Sequence, residues 1–342
     1  MVYSNKYIAL IKQSYQFGDF RIVPIRFEDR YLIMKWRNEQ MYHLRQNLIL
    51  TRKQQDIYFN DVIAQLFYQK QPKQLLFSYL KNNQCIGYGG LVHIDWEEKK
   101  AELSFIMQTD LEKKEFNLHW HTFIKMIEKL AFYDLNFSSI YTYAYNLRLY
   151  LYSMLEKAGF KKIKKFSNKV IIEGKAIDVI IHERINPVHT IEIHPATVDD
   201  VDLVYNWFND DLVRKHSYQS AKILLEEHQK WFQQKVKDKF SMILIVKIKN
   251  IPIGLIRFDF QRNFSVIGVS IDKNFRGKGL SIPLLIAGAN YYFKKYSNPI
   301  KAFIKKSNII SVKAFKGAGF HYYKDEMVKG VDSYVYIKNA NK

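Results

Sequence analysis

The sequence predicts an α/β protein that contains one fold twice, each copy a mixed sheet with helices on its faces. Three observations support this: a repeated residue pattern, an Ile-Gly pair in each half, and an Ala-Gly-Phe near the end of each half. The pattern begins at Phe20 and again at Ile191, with corresponding positions 171 residues apart (195 − 24 for the prolines). The corresponding residues are Pro24 and Pro195, Asp29 and Asp200, Trp36 and Trp207, and Asn38 and Asn209. Because chance rarely keeps such an order over a whole half, we expect two domains, 1–187 and 188–342.

Hydrophobic periodicity places the elements of the first half in order. "FRIVPIR" predicts a short strand, and "DRYLIMKWRNEQMYHL" predicts a helix opened by Asp29. "QLLFSYLKNNQCIGYGGLVHI" predicts two strands joined by a hairpin turn at "KNNQ", and "KAELSFIM" predicts a central strand. A long amphipathic helix, a strand, a helix stopped by Gly159 and a terminal hairpin, "KVIIEGKAIDVIIHERI", follow. The second half repeats this order, with a helix predicted from about Ser281.

Length and composition fit two folded domains. The chain has 342 residues, of which 48% are hydrophobic and 15% aromatic, enough for well-packed cores. The formal net charge is +20, from 53 Lys+Arg against 33 Asp+Glu. This charge suits an anionic partner such as a nucleotide, CoA, nucleic acid or a membrane surface. Because the lysines are spread along the chain, a general lysine bias explains the charge equally well.

The cysteine count and the distribution of apolar residues argue against a disulfide-bonded, a secreted and a membrane-spanning protein. Cys85 is the single cysteine, which excludes a disulfide within the chain and argues against a cysteine metal site. We expect it to be a small core residue. The N-terminus lacks the apolar segment of a signal peptide, and no apolar run approaches the roughly 18 residues of a membrane span. We therefore expect a cytoplasmic protein with no membrane partner and no metal.

The segment "NFRGKGLSIPLL", Asn274–Leu285, lies between a predicted strand and a predicted helix. Backbone N–H groups and the helix dipole make such a turn an anion site. Gly277 and Gly279 allow close approach of the backbone, and Arg276 and Lys278 add positive charge at the rim. The spacing fits neither a Walker A loop nor a Rossmann loop.

Two motifs of the second half resemble the GCN5-related N-acetyltransferase (GNAT) superfamily. The loop resembles its [RQ]-x-x-G-x-[GA] signature, which grips the pyrophosphate of acetyl-CoA, with Ser281 at the last position. "SNIISVKAFKGAGF" resembles its N-x-x-[SA]-x-x-x-[YF]-x-x-x-G-F segment, which flanks the CoA arm. The resemblance covers about residues 190–342. It implies two tandem GNAT-like domains of the α/β (α+β) class, each with a mixed, mostly antiparallel twisted sheet flanked by helices.

The resemblance implies that acetyl-CoA is the co-substrate and that an amine attacks its thioester directly in a ternary complex. By the resemblance, the cofactor-binding residues are Val269, Ser270, Ile271, Arg276, Gly277, Lys278, Gly279, Leu280, Ser281, Asn308, Ser311 and Phe315. The backbone N–H of Ile271 would polarise the thioester carbonyl. Phe315 stands where the family often has a tyrosine that protonates the leaving thiolate. Water, Tyr322 or Tyr323 would then supply that proton.

A general base must remove the proton of the amine. Asp259 in "IRFDF" is the preferred candidate, because its predicted strand lies beside the acetyl channel. A strand-edge salt bridge explains Asp259 equally well. His228 is a second candidate, and Glu226 or Glu227 is a third. A histidine on a helix more often has a structural role.

The first half lacks the glycine-rich loop. No glycine occurs between Ile106 and His119, and Glu115 and Phe116 stand where the glycines belong. A glutamate there repels pyrophosphate, and both side chains block the backbone, so this domain is expected to be degenerate in CoA binding. Alternatively it is active with an unusual loop, because Glu102 lies where many family members have an active-site carboxylate.

The segment "VYNWFNDDLVRKHSYQSAKILLEEHQKWF" bears on the acceptor. It resembles the substrate-side helices of acetyltransferases of pseudaminic-type amino-sugar pathways, on Trp207, Asn209, Arg214 and Ser217 as substrate-binding residues. The expected partner is a small-molecule amine, an amino-sugar or a nucleotide-sugar, and a nucleic acid is not expected. The alternatives are a ribosomal-protein-type N-acetyltransferase and a non-catalytic or tRNA-linked binding protein. A monomer with pseudo-twofold domains and a homodimer both remain open.

Overall fold

The structure, a computed structural model, describes residues 3–172 and 174–340. It divides between Asn186 and Pro187 into two compact units, here called the N-terminal and the C-terminal unit. Each unit has its own sheet, packed by one hydrophobic core in the N-terminal unit and by two in the C-terminal unit. Within the described residues, no helix combines the length and the apolar character that crossing a bilayer requires.

The N-terminal unit has an eight-stranded sheet. Its strands are β1 (Tyr15–Phe17), β2 (Phe20–Pro24), β3 (Leu75–Lys81), β4 (Gln84–Asp95), β5 (Lys100–Met107), β6 (Ser139–Tyr145), β7 (Lys161–Ile172) and β8 (Lys175–Ile185). Its helices are α1 (Arg30–Glu39), α2 (Arg52–Ile57), α3 (Ala64–Leu66), α4 (Thr109–Lys114), α5 (Phe116–Glu128) and α6 (Leu149–Lys157). The strand order is β1-β2-β3-β4-β5-β6-β8-β7, and β5–β6 is the parallel pair.

The predicted strands and helices of this unit are present. At "KNNQ" the hairpin turn has Asn82 and Asn83 at φ 49° and 65°, the left-handed values that a two-residue hairpin turn needs. Asp29 lies at the start of α1 as predicted, but its carboxylate accepts two hydrogen bonds from Arg26 (2.7 and 2.8 Å) and does not cap the helix. Glu173, in the predicted terminal hairpin, lies outside the described residues.

Two helical segments of this unit were not predicted. The first begins with α2, which Thr51 opens through a capping box with Gln54. The signal for it, a Thr followed three residues later by a Gln, is present in the sequence. The second is α4, which occupies the place of the missing glycine-rich loop.

The C-terminal unit has a seven-stranded sheet. Its strands are β9 (Glu192–Pro195), β10 (Ser241–Ile248), β11 (Ile251–Phe260), β12 (Ser265–Ile271), β13 (Ile300–Lys305), β14 (His321–Val328) and β15 (Val331–Lys338). Its helices are α7 (Val201–Phe208), α8 (Asp211–His216), α9 (Leu225–Lys237), α10 (Ser281–Phe293) and α11 (Ile309–Gly317). The order is β14-β15-β13-β12-β11-β10-β9, so the predicted fold class, two mixed and mostly antiparallel sheets flanked by helices, is confirmed.

Two separate cores cover the two faces of the C-terminal sheet. On β10, Leu244 and Val246 belong to the core under α10 and α11, whereas Ile243 and Ile245 belong to the core under α7 and α9. Successive side chains of a strand point to opposite faces. From Leu255 onward, beyond the irregularity at Ile253, the same alternation assigns each residue of β11, and each residue of β12 and β13, to the α10/α11 face or to the α7/α9 face.

Candidate active site

The parallel pair β12–β13 separates after two residue pairs. The strands pair at Ser265 with Ile300 and at Val266 with Lys301, and nowhere further along. In the N-terminal unit, β5 and β6 separate in the same way after Glu102 pairs with Tyr141. Each sheet therefore has an opening between its two parallel strands, where the edge of one strand faces no neighbouring strand.

The backbone of β12 directs hydrogen-bonding groups into this opening. Ser265 N–H donates to Pro299 O (2.8 Å) on the β13 side, and Asp272 N–H donates to Ile253 O (2.9 Å) on the β11 side. Because alternate residues of an antiparallel strand bond to alternate sides, Val269 and Ile271 have the parity of Ser265. Their N–H groups point into the opening. An extended amide chain such as pantetheine can pair with these groups as an added strand would.

The glycine-rich loop lies at the end of this edge. Gly277 and Gly279 have φ of 73° and 74°, and a Cβ built on either would meet no atom within 4 Å. Lys278 is exposed, with its ammonium 5.1 Å above the ring of Phe275. Leu280 precedes the first residue of α10, Ser281, which begins the helix where it was predicted. Open backbone at the start of a 13-residue helix is the arrangement that binds phosphates.

The segment after β13 forms the other wall. Asn308 caps α11, since its side-chain oxygen accepts the N–H of Ser311 (3.1 Å). Phe315 is 5% exposed, and its ring packs edge-on against Phe320 with the centroids 4.9 Å apart. Asn308 therefore fixes the start of the helix, and position 315 is a core position with no hydroxyl to offer.

In the N-terminal unit, α4 and the start of α5 replace the loop. Gln108 N–H donates to Ile86 O (2.8 Å) as Asp272 does to Ile253, so β5 and β12 end at equivalent positions. Next to α4 is a cleft of about 780 Å³, whose charged lining residues are Glu39, Glu112, Lys113, Lys114 and Glu115. Glu112 is buried against Arg148, with Oε1 3.0 Å from Nη1. Because Arg148 neutralises Glu112, the exposed Glu115 is the carboxylate that repels a pyrophosphate at the equivalent of the loop.

Two family profiles, each described as "Acetyltransferase (GNAT) domain", match residues 22–181 and 190–321. The chain belongs to the GNAT acetyltransferases. It is an acetyl-CoA-dependent N-acetyltransferase with two such domains in tandem. Within the described residues, no group of three or more His, Cys, Asp or Glu side chains is placed to hold a metal ion.

Solved structures of similar fold include other acetyltransferases. An aminoglycoside acetyltransferase, AAC(6')-Ib, in complex with coenzyme A and kanamycin is 16% identical, with 44% of this chain and 95% of that chain covered and a TM-score of 0.40. Spermidine N-acetyltransferase from Vibrio cholerae with CoA and spermine is 14% identical (44% and 94% covered, TM-score 0.40). An uncharacterized protein from Bacillus halodurans is 19% identical (52% and 92%, 0.40). No curated protein matches the sequence significantly.

The base candidates of this acetyltransferase lie in different surroundings. His228 is 1% exposed, its Nε2 lies 3.2 Å from the carbonyl of Val201, and its ring stacks on Phe232. Burial lowers the pKa of this histidine. The prediction that His228 acts as a base does not fit this position, which is that of a core residue. Glu226 and Glu227 are exposed on the surface of α9.

Asp259 lies on the α7/α9 face at the end of β11. One of its oxygens is 2.9 Å from Nε of Arg257, and the other is 3.8 Å from Nζ of Lys235. It is the sole carboxylate in the sequences of β11, β12 and β13. Asp259 is therefore partnered, as the salt-bridge interpretation of the sequence held.

The side chains predicted to bind substrate have partners inside the acetyltransferase. Trp207 is 5% exposed and donates its indole N–H to Asp272 (2.8 Å), at the start of the glycine-rich loop. Asn209 clamps the backbone of Ile223, donating to its carbonyl (2.9 Å) and accepting from its N–H (2.8 Å).

The repeat explains the role of this asparagine. Asn38 clamps Leu50 in the N-terminal unit by the same two bonds, at 2.9 and 2.8 Å. The repeated Asn therefore marks a structural clamp, and this contact does not fit the prediction that Asn209 binds substrate.

Arg214 and Ser217 form a local network. The Arg214 guanidinium donates to Ser217 Oγ (3.1 Å) and to the carbonyls of Gln219 (3.3 Å) and Ala221 (3.4 Å). Ser217 in turn donates to the carbonyl of Val213 (2.7 Å). These contacts hold the loop between α8 and α9, and burial lowers the pKa of Arg214. Both residues thus order the backbone of this loop.

Three basic side chains on the α7/α9 face were not predicted. Arg257 on β11 lies opposite Gly268 of β12, with its Nη2 3.9 Å from where a Gly268 Cβ would be and its guanidinium 5.7 Å from the Trp231 ring. Lys301 and Lys305 lie on β13, across the opening, on the same face. The signal was the alternation of charged with apolar residues in "LIRFDF" and "IKAFIK".

The N-terminal unit keeps a carboxylate at its own opening. Glu102 is 5% exposed, forms an ion pair with Arg45 and lies 3.8 Å from Nε2 of His93. Burial raises the pKa of Glu102 above its usual range despite the neighbouring guanidinium of Arg45. Cys85, half-buried on β4, donates to Gly87 O (3.2 Å), and burial raises the pKa of its thiol to about 12. The thiol is therefore protonated at neutral pH and is no nucleophile.

His43, between α1 and α2, makes the N-terminal unit sensitive to acid. Burial, with a smaller repulsion from Arg148, lowers its pKa from 6.5 to about 3. A depressed histidine pKa gives stability that is complete above pH 6.5 and is lost as the pH falls toward 3. Between pH 8 and pH 5.5 we expect a loss of about 1.4 kcal/mol from this residue.

Urea unfolding of the full chain at both pH values tests this expectation. His43→Gln should lose about 1.4 kcal/mol less than the wild type over this pH range. Other buried histidines with a lowered pKa, such as His119, are present in both proteins and cancel. Equal losses in the two proteins would contradict the prediction.

Proposed function

We propose that this acetyltransferase moves the acetyl group of acetyl-CoA to the primary amine of an amino-sugar that also has negative charge, such as a nucleotide-amino-sugar. The supporting observation is the positive charge on the α7/α9 face. Arg257, Lys301 and Lys305 lie on this face of β11 and β13, and Asp259 is the sole carboxylate in β11, β12 and β13. In the described part of the chain, neither lysine has a carboxylate partner. Such a face attracts phosphate or carboxylate and repels a polycation.

In this proposal the backbone of β12 binds and polarises the acyl donor. The N–H groups of Val269 and Ile271 pair with the donor's amide chain and its carbonyl, and the loop from Arg276 to Ser281 binds the pyrophosphate. Asp259 pairs with Val266, five residues or about 16 Å along β12 from Ile271, so it would accept the amine proton through a chain of water molecules. Phe315 offers no proton, so the leaving thiolate is protonated by solvent.

We also propose that the C-terminal domain, 188–342, has the single CoA site, and that the N-terminal domain, 1–187, is degenerate in CoA binding. The contrast between the loop in one unit and α4 in the other supports this. Gly277 and Gly279 leave backbone open to a ligand, whereas α4 and the start of α5 have no glycine and Glu115 presents an exposed carboxylate at the equivalent place. A titration of the full chain with CoA should give one site per chain.

An acetyl-transfer screen tests the proposed acceptor. Purified protein and acetyl-CoA are incubated with UDP-amino-sugars, polyamines, aminoglycosides and peptides with ribosomal-protein N-termini. We expect the highest kcat/KM with an amino-sugar that has a phosphate or carboxylate group. Preference for a polyamine, an aminoglycoside or a peptide would refute the acceptor but not the acetyl-CoA site. Failure to bind acetyl-CoA would refute both.

Arg257→Gln should raise the KM for the anionic acceptor about tenfold, because one charge-assisted contact of roughly 1.5–3 kcal/mol is lost. The KM for acetyl-CoA should change little. The control is Arg262→Gln, which makes the same change of charge in the exposed turn between β11 and β12. Equal effects of the two variants would show that Arg257 acts only through the net charge of the protein.

A further inference from the structure

Two contacts join the acceptor-side helices of the C-terminal unit to the glycine-rich loop. Asp210, which precedes α8, forms an ion pair with Arg276 (Oδ1–Nη2 2.9 Å). Trp207, at the end of α7, donates to Asp272 (2.8 Å), whose other oxygen accepts the N–H of Asn274 (2.8 Å) at the start of the loop. The loop is therefore held by α7 and α8 at two points: at Arg276 through Asp210, and at Asn274 through Asp272 and Trp207.

The Arg276 guanidinium is fixed at two of its nitrogens. Nε donates to the carbonyl of Ile271 (2.9 Å), the last residue of β12, and Nη2 faces Asp210. A guanidinium has five N–H donors in a rigid plane. Once Ile271 and Asp210 are bound, the plane has a defined orientation, and the N–H groups of Nη1 remain for a ligand.

Asp210 is itself firmly placed. Its Oδ1 accepts the N–H groups of Leu212 (3.0 Å) and Val213 (3.2 Å), which makes it the cap of α8. Burial opposes ionisation of this carboxyl, but Arg276 and the two N–H groups outweigh burial and lower its pKa. The carboxylate is thus charged at neutral pH and cannot swing away without uncapping the helix.

We propose that Asp210 is a positioning residue for the acyl donor: it holds the Arg276 guanidinium in the orientation that binds the pyrophosphate of CoA. This inference rests on the proposed CoA site. It predicts an effect opposite in sign to simple electrostatics, because a carboxylate near a pyrophosphate should weaken binding by repulsion. Removing the charge of Asp210 should instead weaken CoA binding, since the orientation of Arg276 is lost.

Asp210→Asn is the direct test, because asparagine caps a helix as well as aspartate does and the ion pair alone is removed. We expect the Kd for CoA, measured by calorimetry, to rise about tenfold, the size of one charge-assisted hydrogen bond. The KM for acetyl-CoA should rise equally, with kcat at saturation within about twofold. The control is Asp211→Asn, the same change at the next residue, whose carboxylate is 93% exposed and pairs with Lys222.

Arg276→Gln completes the test as a double-mutant cycle. If Asp210 acts through Arg276, the double variant should bind CoA no more weakly than Arg276→Gln alone. Tighter binding by Asp210→Asn, equal effects of Asp210→Asn and Asp211→Asn, or additive effects in the double variant would each overturn the inference. A wild type that fails to bind CoA would refute the proposed CoA site itself, and this inference with it.

Discussion

Gly279→Glu should abolish CoA binding by the full chain. The wild-type backbone at Gly279 is open, with φ at 74° and no atom within 4 Å of the position that a Cβ would occupy. A glutamate there places a carboxylate where the pyrophosphate would bind and covers the N–H groups of the loop. At a CoA concentration 100 times the Kd, ligand binding stabilises a protein by about 2.7 kcal/mol. The variant should lose this whole stabilisation in a thermal-shift measurement.

The control for this variant must share its backbone strain. Gly330 lies in the turn between β14 and β15 at φ 78°, also with nothing within 4 Å. Gly330→Glu adds the same side chain, the same charge and the same left-handed strain of about 1–2 kcal/mol at a place away from the loop. It should keep the CoA response. An unchanged response of Gly279→Glu would show that the loop does not bind the pyrophosphate.

A titration of Gly279→Glu with CoA also tests the N-terminal unit. If that unit bound CoA through α4 and its cleft, Gly279→Glu would still bind one CoA per chain. We expect no binding, because no glycine opens the backbone there and the exposed carboxylate of Glu115 lies at the equivalent position. A residual site with unchanged affinity would favour the alternative that the first domain is active.

Ile271→Pro should lower kcat about 10²–10³-fold, the usual effect of removing one donor to a developing oxyanion. Proline removes the N–H of Ile271, which by its parity on β12 points into the opening and does not pair with β11. Proline inside a strand normally breaks a ladder hydrogen bond, but here no such bond is lost. The extended backbone of Ser270 suits the residue before a proline.

Steady-state kinetics with saturating acetyl-CoA measures this effect, and Ile271→Val is the control because it keeps the N–H and the β-branched side chain. The Kd for CoA of Ile271→Pro should rise by less than about tenfold, since one hydrogen bond to the donor is lost. An unchanged kcat would rule out this N–H as the group that polarises the thioester. Val269 on the same strand edge would then be the next candidate.

Local sequence signals predicted the parts of this protein whose chemistry is local. Gly277 and Gly279 are at φ values that glycine accepts most readily, so their loop could be recognised without a structure. Asn82 and Asn83 likewise mark their own turn. The start of α10 at Ser281 followed from apolar periodicity.

Side-chain roles that depend on distant partners could not be predicted in this way. Trp207 and Asn209 stand in a motif that resembles a substrate-binding one, yet their partners are Asp272 and Ile223. Asp272 is 65 residues along the chain from Trp207, and Ile223 lies in a loop that has no sequence pattern of its own. His228 is a polar residue type that a helix often carries on its surface, but in α9 it is buried against Phe232.

The sequence by itself determined that one fold occurs twice and that its glycine-rich loop occurs once, because repeat patterns and glycine positions are properties of the chain. The tertiary structure decided which side chains face the opening, because strand pairing sets the parity of β11, β12 and β13. It brought Arg257 over Gly268 and Asp210 to Arg276. Both contacts join residues of different elements, and only packing fixes such distances.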